Sequence, residues 1–177
     1  NEELKDFFQG QELMTYFQEL EGKKVAYKPQ NLSSLSKDIK AIDLLKERGK
    51  ESQIREFAER LNVTPVLENK LNELSGGELQ RIAIIAASLG EADIYFYDEP
   101  LAYLDIGERL RVSEFIKGVG EENIIVVVEH DLLILDYLTD YLSIFFGEQG
   151  AFGAVSSPKT SKEGVNAYLS GFLRDEN

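Results

Sequence analysis

Hydrophobic residues recur along this chain with two different spacings. Short apolar runs at 94–97 and 123–128 are rich in β-branched and aromatic residues, which is typical of buried strands. Elsewhere, apolar residues return every three or four positions, which predicts helices over 39–45, 54–61 and 106–117. Because strands alternate with helices, the pattern predicts an α/β fold.

Weaker patterns predict further elements around this core. Pro29 should end a first strand, because proline cannot continue a β-ladder. The other expected elements are helices at 3–8 and 11–20, strands at 23–27, 141–146 and near 152–155, a turn at 147–150 and a final helix over 162–173.

Composition narrows the class of protein. The chain has 177 residues, of which 43% are apolar, enough to bury the core of one domain. No run approaches the ~20 apolar residues of a membrane span, and the acidic start does not resemble a signal peptide. With no cysteine, the chain cannot form disulfides or ligate an iron–sulfur cluster through thiolates. A net charge of -13 argues against indiscriminate binding of nucleic acid.

A candidate anion site lies at the start of one predicted helix. Ser75 and Glu78 have the spacing of a capping box, so a helix should begin there with free backbone N–H groups. Gly76 and Gly77 carry no β-carbon and would let phosphate oxygens approach these groups. The alternative is an ordinary capped helix with no ligand.

Two adjacent carboxylates follow the apolar run at 94–97. Asp98 and Glu99 stand where a buried strand should emerge, and they could present oxygens to Mg²⁺ and to a water. Gln30 follows the first predicted strand, and its side-chain carbonyl could serve the same ion. His130, the only histidine, follows the run at 123–128. The alternatives are acids in a proline turn, a solvated loop glutamine and a structural histidine.

Four ordered motifs together resemble the signature, Walker B, D-loop and H-loop series of an ABC-type ATPase. They read Leu74-Ser75-Gly76-Gly77-Glu78-Leu79-Gln80-Arg81, Asp98-Glu99-Pro100, Leu104-Asp105 and Glu129-His130-Asp131. The text at 10–17, 135–138, 151–153, 163–165 and 171–173 is similar to the first nucleotide-binding domain of the RNase L inhibitor type, the subfamily E ribosome-recycling factors.

The resemblance implies a role for each residue of the site. Asp98 would hold Mg²⁺ through water, Glu99 would polarise the water that attacks the γ-phosphate of ATP, and His130 would contact that phosphate. Gln30 would bind Mg²⁺ or the attacking water. The segment from Ser75 through Gly76 and Gly77 to Glu78 would clamp ATP held by the P-loop of an opposite domain.

One implied contact departs from the family's pattern. Asp105 belongs to the D-loop, which in this family reaches across a dimer interface. Leu101 and Ala102 stand where small hydroxyl residues are usual, which weakens the expected contacts across that interface.

The resemblance also implies an architecture. The fold would be an ABC-type, RecA-like core with a helical signature lobe. The lobe would span 31–89, the core 23–30 and 90–177, and a helix-loop-helix insertion at 1–22 would face the small ribosomal subunit.

The sequence contains no Gly-x-x-x-x-Gly-Lys-Ser/Thr motif, so it predicts an incomplete core that does not hydrolyse ATP alone. By analogy with the strand order of this class, the P-loop strand would lie between 123–128 and 141–146. We expect a second polypeptide to carry it, with Asn1 marking a cut or a split gene. In the family a cysteine-rich iron–sulfur domain also precedes the first ATPase domain.

The favoured interpretation is the distal part of the first ATPase domain of a cytosolic ribosome-splitting factor. ATP and Mg²⁺ would be its cofactors. Its partners would be a P-loop-bearing and possibly iron–sulfur segment, a second nucleotide-binding domain, the small ribosomal subunit and a release factor. The alternative is a non-catalytic scaffold of ABC shape that binds the ribosome or a release factor. A DNA-repair ABC ATPase is a further possibility, but its long coiled-coil heptads do not occur here.

Overall fold

The computed structural model describes residues 18–121, 123–148 and 150–171. Its centre is a parallel three-stranded sheet of β1 (Val25–Lys28), β2 (Ile94–Asp98) and β3 (Ile124–Val128), in the order β1-β2-β3. Because the strands are parallel and in register, their carboxyl ends meet at one edge. The predicted α/β fold is confirmed, and this edge receives the candidate acids.

A helical lobe connects β1 to β2. It contains α1 (Ala41–Lys46), α2 (Glu51–Arg60) and α3 (Gly76–Ser88). The capping box predicted for α3 is present: the backbone N–H of Ser75 donates to Glu78 Oε2 at 2.8 Å, and that of Glu78 donates to Ser75 Oγ at 3.3 Å. A short 3₁₀ turn at Ser33–Leu35 precedes α1, and two more, at Thr64–Val66 and Leu71–Glu73, lie between α2 and α3.

Helix α3 lies at the centre of the core, and every residue from Gln80 to Ser88 is buried. Tyr97 of β2 is fully buried, and its hydroxyl lies 2.8 Å from Ser88 Oγ. The next helix, α4 (Ile106–Val119), adds Phe115, whose ring meets that of Phe57 edge to face with centroids 4.9 Å apart. Lobe and sheet therefore share one hydrophobic core.

The distal part of the chain consists of short elements. They are α5 (Leu132–Leu138), β4 (Tyr141–Leu142), β5 (Phe145–Glu148), β6 (Phe152–Val155), β7 (Lys159–Thr160) and α6 (Ser161–Ser170). The single strand expected at 141–146 is wrong. Instead, β4 pairs with β7 and β5 with β6, because Ile144 and Ser156 bond to each other between the two ladders and the chain changes partners there.

The expectation that the run at 123–128 is a buried strand is also corrected. Ile124, Val126 and Val128 are 62%, 39% and 43% exposed. In the described part of the chain, β3 pairs with β2 alone. Its other edge borders a cleft of about 920 Å³ lined by α5, β4 and α6. Because β3 lies at the edge of the described sheet, fewer neighbouring residues cover its side chains than cover those of a central strand.

Other expectations fall outside the described residues. The two helices expected at 3–8 and 11–20 lie largely within 1–17, so the insertion at 1–22 stays a prediction, as does the division into lobe and core segments. In the described ranges, none of the helices has the length and apolar character needed to span a bilayer.

Candidate functional site

The end of β2 turns sharply, and this turn displays the two acids. Glu99 has φ = 44°, in the left-handed region that non-glycine residues seldom adopt. Such a backbone costs on the order of 1 kcal/mol and persists only where its surroundings hold it. The backbone N–H of Glu99 donates to Val128 O at 2.9 Å, which ties the turn to the end of β3.

Two buried side chains donate hydrogen bonds to the backbone of the same turn. Lys28 Nζ donates to Asp98 O at 2.8 Å and to Glu99 O at 3.2 Å. Gln80 Nε2 donates to Glu99 O at 2.7 Å. Lys28 is 1% exposed and Gln80 is fully buried. The sequence pattern singles out neither side chain, although a lysine at the end of a strand, directly before Pro29, is a signal for Lys28.

Burial lowers the pKa of Lys28 from its ordinary value to about 8. The negative charges of Asp98, Glu129 and Glu99 oppose this shift and favour the ammonium form. The side chain is therefore a desolvated cation surrounded by the carboxylates of the candidate site.

His130 lies at the end of the neighbouring strand, and its side chain is 81% exposed. The carboxylate of Glu129, only 2% exposed, accepts from His130 N at 2.9 Å and from Leu101 N at 3.2 Å. Glu129 therefore joins the turns after β2 and β3. The sequence drew attention to Glu129 only as a neighbour of His130, because the partner on the other turn is remote in sequence.

Asp98 faces a more open environment. Tyr27 Oη donates to Asp98 Oδ2 at 3.1 Å, and Asp98 itself is half-buried. Gln30 follows β1 by two residues and is exposed. Carboxylate and amide oxygens fit Mg²⁺, which proteins commonly hold through one or two such groups together with waters and phosphates. No cluster of three or more histidine, cysteine or acidic ligands occurs within 18–121, 123–148 and 150–171.

The start of α3 forms a second group of predicted residues. Ser75 Oγ donates to Glu78 Oε2 at 2.6 Å, and this bond, with that from Ser75 N, lowers the pKa of Glu78. A β-carbon on Gly77 would lie 3.1 Å from Tyr103 O, and one on Gly76 would lie 3.5 Å from Tyr103 Cβ. The glycines therefore also accommodate the chain at Tyr103, which has φ = 65° and is 77% exposed.

The predicted residues thus fall into two groups. Asp98, Glu99 and His130 lie at the carboxyl edge of the sheet, with Gln30 just beyond β1. The start of α3 adjoins the loop at Tyr103, which leads to Asp105. The Asp105 side chain caps α4, since its Oδ1 accepts from Glu108 N at 2.9 Å. Its predicted contact across an interface stays a prediction.

Comparison with known proteins decides the family. The model of the family described as ABC transporter matches residues 4–102, more than half of the chain. The chain belongs to the ABC family. The resemblance drawn from the four motifs is confirmed, and so is the ABC-type fold class.

Relatives of this ABC chain match it almost end to end. It is 46% identical to the uncharacterized ABC transporter ATP-binding protein MJ0719 of Methanocaldococcus jannaschii, over 97% of this chain and 29% of that protein. It is 39% identical to ABC transporter E family member 1 of Arabidopsis thaliana, over 99% of this chain and 30% of the relative. The chain therefore spans about 30% of the length of these curated relatives.

Solved structures agree with this assignment. A structure described as RNase-L Inhibitor superposes with a TM-score of 0.89 at 41% identity, covering 99% of this chain and 35% of its own. A complex of archaeal ribosomal stalk protein aP1 with archaeal ribosome recycling factor aABCE1 has a TM-score of 0.89 at 40% identity, with the same coverage. Membership in the ABC family implies ATP and Mg²⁺ as cofactors in general.

Proposed function

We propose that this ABC chain supplies the signature, Walker B, D-loop and H-loop of an ATPase that splits ribosomal subunits. Similarity over nearly the whole chain to a protein described as a ribosome recycling factor supports the biological role. The small ribosomal subunit and a release factor are the partners proposed with it, in the cytoplasm.

The observation that carries the catalytic part is that Glu99 and His130 follow neighbouring strands and lie at the same edge of the sheet. They follow the adjacent parallel strands β2 and β3, whose ends are joined by the bond from Glu99 N to Val128 O at 2.9 Å. A carboxylate and an imidazole in this arrangement can take a proton from a water and orient it.

The other residues would bind and orient. When bound, Mg²⁺ and ATP supply the electrophilic phosphoryl group and neutralise its charge. Asp98 and Gln30 would hold the ion through oxygen atoms. Gly76 and Gly77 would offer backbone N–H groups at the start of α3 to a phosphate. Ser75 would shape this helix start, since its backbone N–H and its hydroxyl both donate to Glu78 Oε2. Asp105 shapes the neighbouring loop by capping α4.

ATP turnover by the chain combined with a P-loop-bearing segment and a second nucleotide-binding domain tests this proposal. Glu99→Gln should lower turnover at least ~100-fold by removing the proton acceptor, while ATP binding persists. The control is Glu91→Gln, because Glu91 is exposed in the loop before β2. Unchanged turnover in Glu99→Gln would contradict the catalytic role and favour the non-catalytic scaffold.

We further propose that the P-loop-bearing segment adds a strand to β3. Val128 O accepts from Glu99 N, so Val128 directs its backbone groups toward β2. Residues one position apart direct theirs to opposite edges, and Val127 therefore presents its N–H and C=O to the cleft. The cleft has about 920 Å³ and lies between β3 and β4, where the analogy to ABC topology expects this strand.

Strand addition can be tested with one matched pair of variants. Val127→Pro removes the N–H that faces the cleft, whereas Val127→Ala keeps it and shortens the same side chain. The P-loop-bearing segment should bind the chain and its Val127→Ala variant, and it should slow amide exchange at Val127 in the unsubstituted chain. Equal binding to Val127→Pro, or no slowing of exchange, would contradict strand addition at β3.

A further inference from the structure

We infer that Lys28 and Gln80 are positioning residues for Glu99, which they hold in its left-handed turn through its backbone carbonyl. The inference rests on the proposed catalytic role of Glu99, and it adds two residues that act on the carboxylate without touching substrate. Their side chains reach the turn from two different elements, the end of β1 and the middle of α3.

The geometry shows that both donors converge on one acceptor. Glu99 O accepts from Gln80 Nε2 at 2.7 Å and from Lys28 Nζ at 3.2 Å, and Lys28 Nζ also donates to Asp98 O at 2.8 Å. A carbonyl with two lone pairs can accept both bonds. The peptide groups on both sides of the Glu99 Cα therefore cannot rotate without breaking a bond to the Lys28 ammonium, and the group that follows Glu99 would also lose its bond to Gln80.

Both the Lys28 and the Gln80 side chains are buried, so neither contributes a polar group to the solvent-exposed surface. Lys28 is 1% exposed and Gln80 is fully buried. Gln80 Oε1 has no hydrogen-bond partner among the described residues, and an unsatisfied buried oxygen destabilises a fold. An apolar side chain of the same length would avoid that cost. The Gln80 side chain therefore contributes a hydrogen-bond donor, Nε2, and the group that accepts this bond is Glu99 O.

The arrangement also connects two parts of the site. Gln30 lies two residues beyond Lys28, so displacement of the chain after β1 would pull on the turn that carries Glu99. Gln80 belongs to the helix that begins at Ser75, so the turn is equally attached to the start of α3. The orientation of the Glu99 carboxylate therefore depends on the positions of both segments.

Hydrogen exchange of the 177-residue chain without nucleotide tests the positioning itself. Lys28→Met removes the donors and keeps the apolar stem, and Gln80→Met does the same for the amide. Each should speed exchange of the Glu99 and Leu101 amides by about 10-fold or more. In both variants the exchange rates of the α2 amides should not change. Lys24→Met, at an exposed lysine just before β1, is the control variant, and it should leave the exchange of the Glu99 and Leu101 amides unchanged. Faster exchange at all amides, or unchanged exchange at Glu99 and Leu101, would overturn the inference.

A double-mutant cycle sharpens the result. Because both donors act on one carbonyl, the Lys28→Met/Gln80→Met variant should speed exchange by a factor that differs from the product of the two single effects by about 3-fold or more. Independent, multiplicative effects would show that the two side chains do not share Glu99 as their target.

Kinetics of the reconstituted ATPase separates positioning from general stability. Lys28→Met and Gln80→Met should each lower kcat about 10-fold with KM for ATP within about 2-fold. If Glu99→Gln abolishes turnover but these variants leave kcat unchanged, the positioning role is wrong. If Glu99→Gln itself leaves turnover unchanged, the proposed function fails instead, and the exchange result identifies the two donors as structural.

Discussion

The lobe side and the distal side of this molecule treat similar hydrophobic residues in opposite ways. Phe57 and Phe115 pack edge to face in the shared core, and Phe115 is 1% exposed. In the β5–β6 hairpin, Phe145 and Phe152 are 76% and 59% exposed. A side chain stabilises the chain only where neighbours cover it. The lobe side therefore has a covered hydrophobic core, whereas on the distal side β3 pairs only with β2 among the described residues. The proposed strand from a P-loop-bearing segment would pair with the other edge of β3.

The largest test of this contrast compares two phenylalanines. Phe115→Ala should lower the free energy of unfolding by about 4 kcal/mol, because it leaves a cavity beside Phe57. Phe145→Ala should change it by less than ~0.5 kcal/mol, because most of the ring is already in water. Urea denaturation of both variants measures the difference. If both variants lost the same free energy of unfolding, the β5–β6 hairpin would be covered in solution, and the two sides of the molecule would not differ in burial.

The next test concerns the attachment of the lobe to the core. Arg81 of α3 donates to Leu61 O at 3.0 Å and lies 2.8 Å from Glu108 Oε2 of α4, with both side chains mostly buried. Arg81→Met should cost about 3 kcal/mol in thermal or urea unfolding, because it removes the buried ion pair and the bond to Leu61 O. Glu108 Oε2 would then have only the more exposed Arg111, whose Nε lies 3.6 Å away.

Arg55→Met is the matched control, since Arg55 pairs with Glu51 on the exposed face of α2. It should leave the midpoint unchanged, as exposed ion pairs contribute little. If Arg81→Met destabilised the chain as little as Arg55→Met, the attachment of the lobe would not depend on the ion pair between Arg81 and Glu108.

A pH titration tests the desolvated cation at the junction of the two regions. Burial lowers the pKa of Lys28 to about 8, below the ordinary 10.5 that it recovers on unfolding. Below pH 8 both states bind the proton. Between about 8 and 10.5 only the unfolded state keeps it, so stability rises with pH.

Relative to Lys28→Met, the chain should gain about 2 kcal/mol in free energy of unfolding between pH 8 and pH 10. The variant serves as reference because every other group titrates in both proteins. A flat difference over this range would show that the lysine is solvated, and hence that the turn after β2 is open to water.

The smallest test probes polar packing inside the covered hydrophobic core. Tyr97 is fully buried, its hydroxyl bonds to Ser88 Oγ at 2.8 Å, and burial raises the pKa of Tyr97 to about 12. Tyr97→Phe should cost about 1 kcal/mol, the net value of one hydrogen bond, since Ser88 Oγ still donates to Ile84 O. Tyr168→Phe, at a site 57% exposed, should cost less. The reverse order in thermal unfolding would contradict this account of the core.

Local sequence patterns predicted the elements that depend on near neighbours. The helix that begins after Ser75 follows from a capping box and an apolar run, and the strand ending at Asp98 follows from five residues of sequence. The split of 141–146 into β4 and β5 did not follow, because β4 pairs with β7, while β5 pairs with β6, the next strand along the chain. The exposure of Val126 was missed for the same reason, since burial depends on what lies beside a strand.

The candidate site divides in the same way. Ser75, Asp98, Glu99 and His130 could be predicted as site residues because their motifs are contiguous, and the sequence by itself determined the family and the order of its motifs. Only the tertiary structure decided that Lys28, Gln80 and Glu129 hold the turns after β2 and β3. Hydrogen bonds act over about 3 Å in space, and these partners lie 19 to 71 residues apart along the chain.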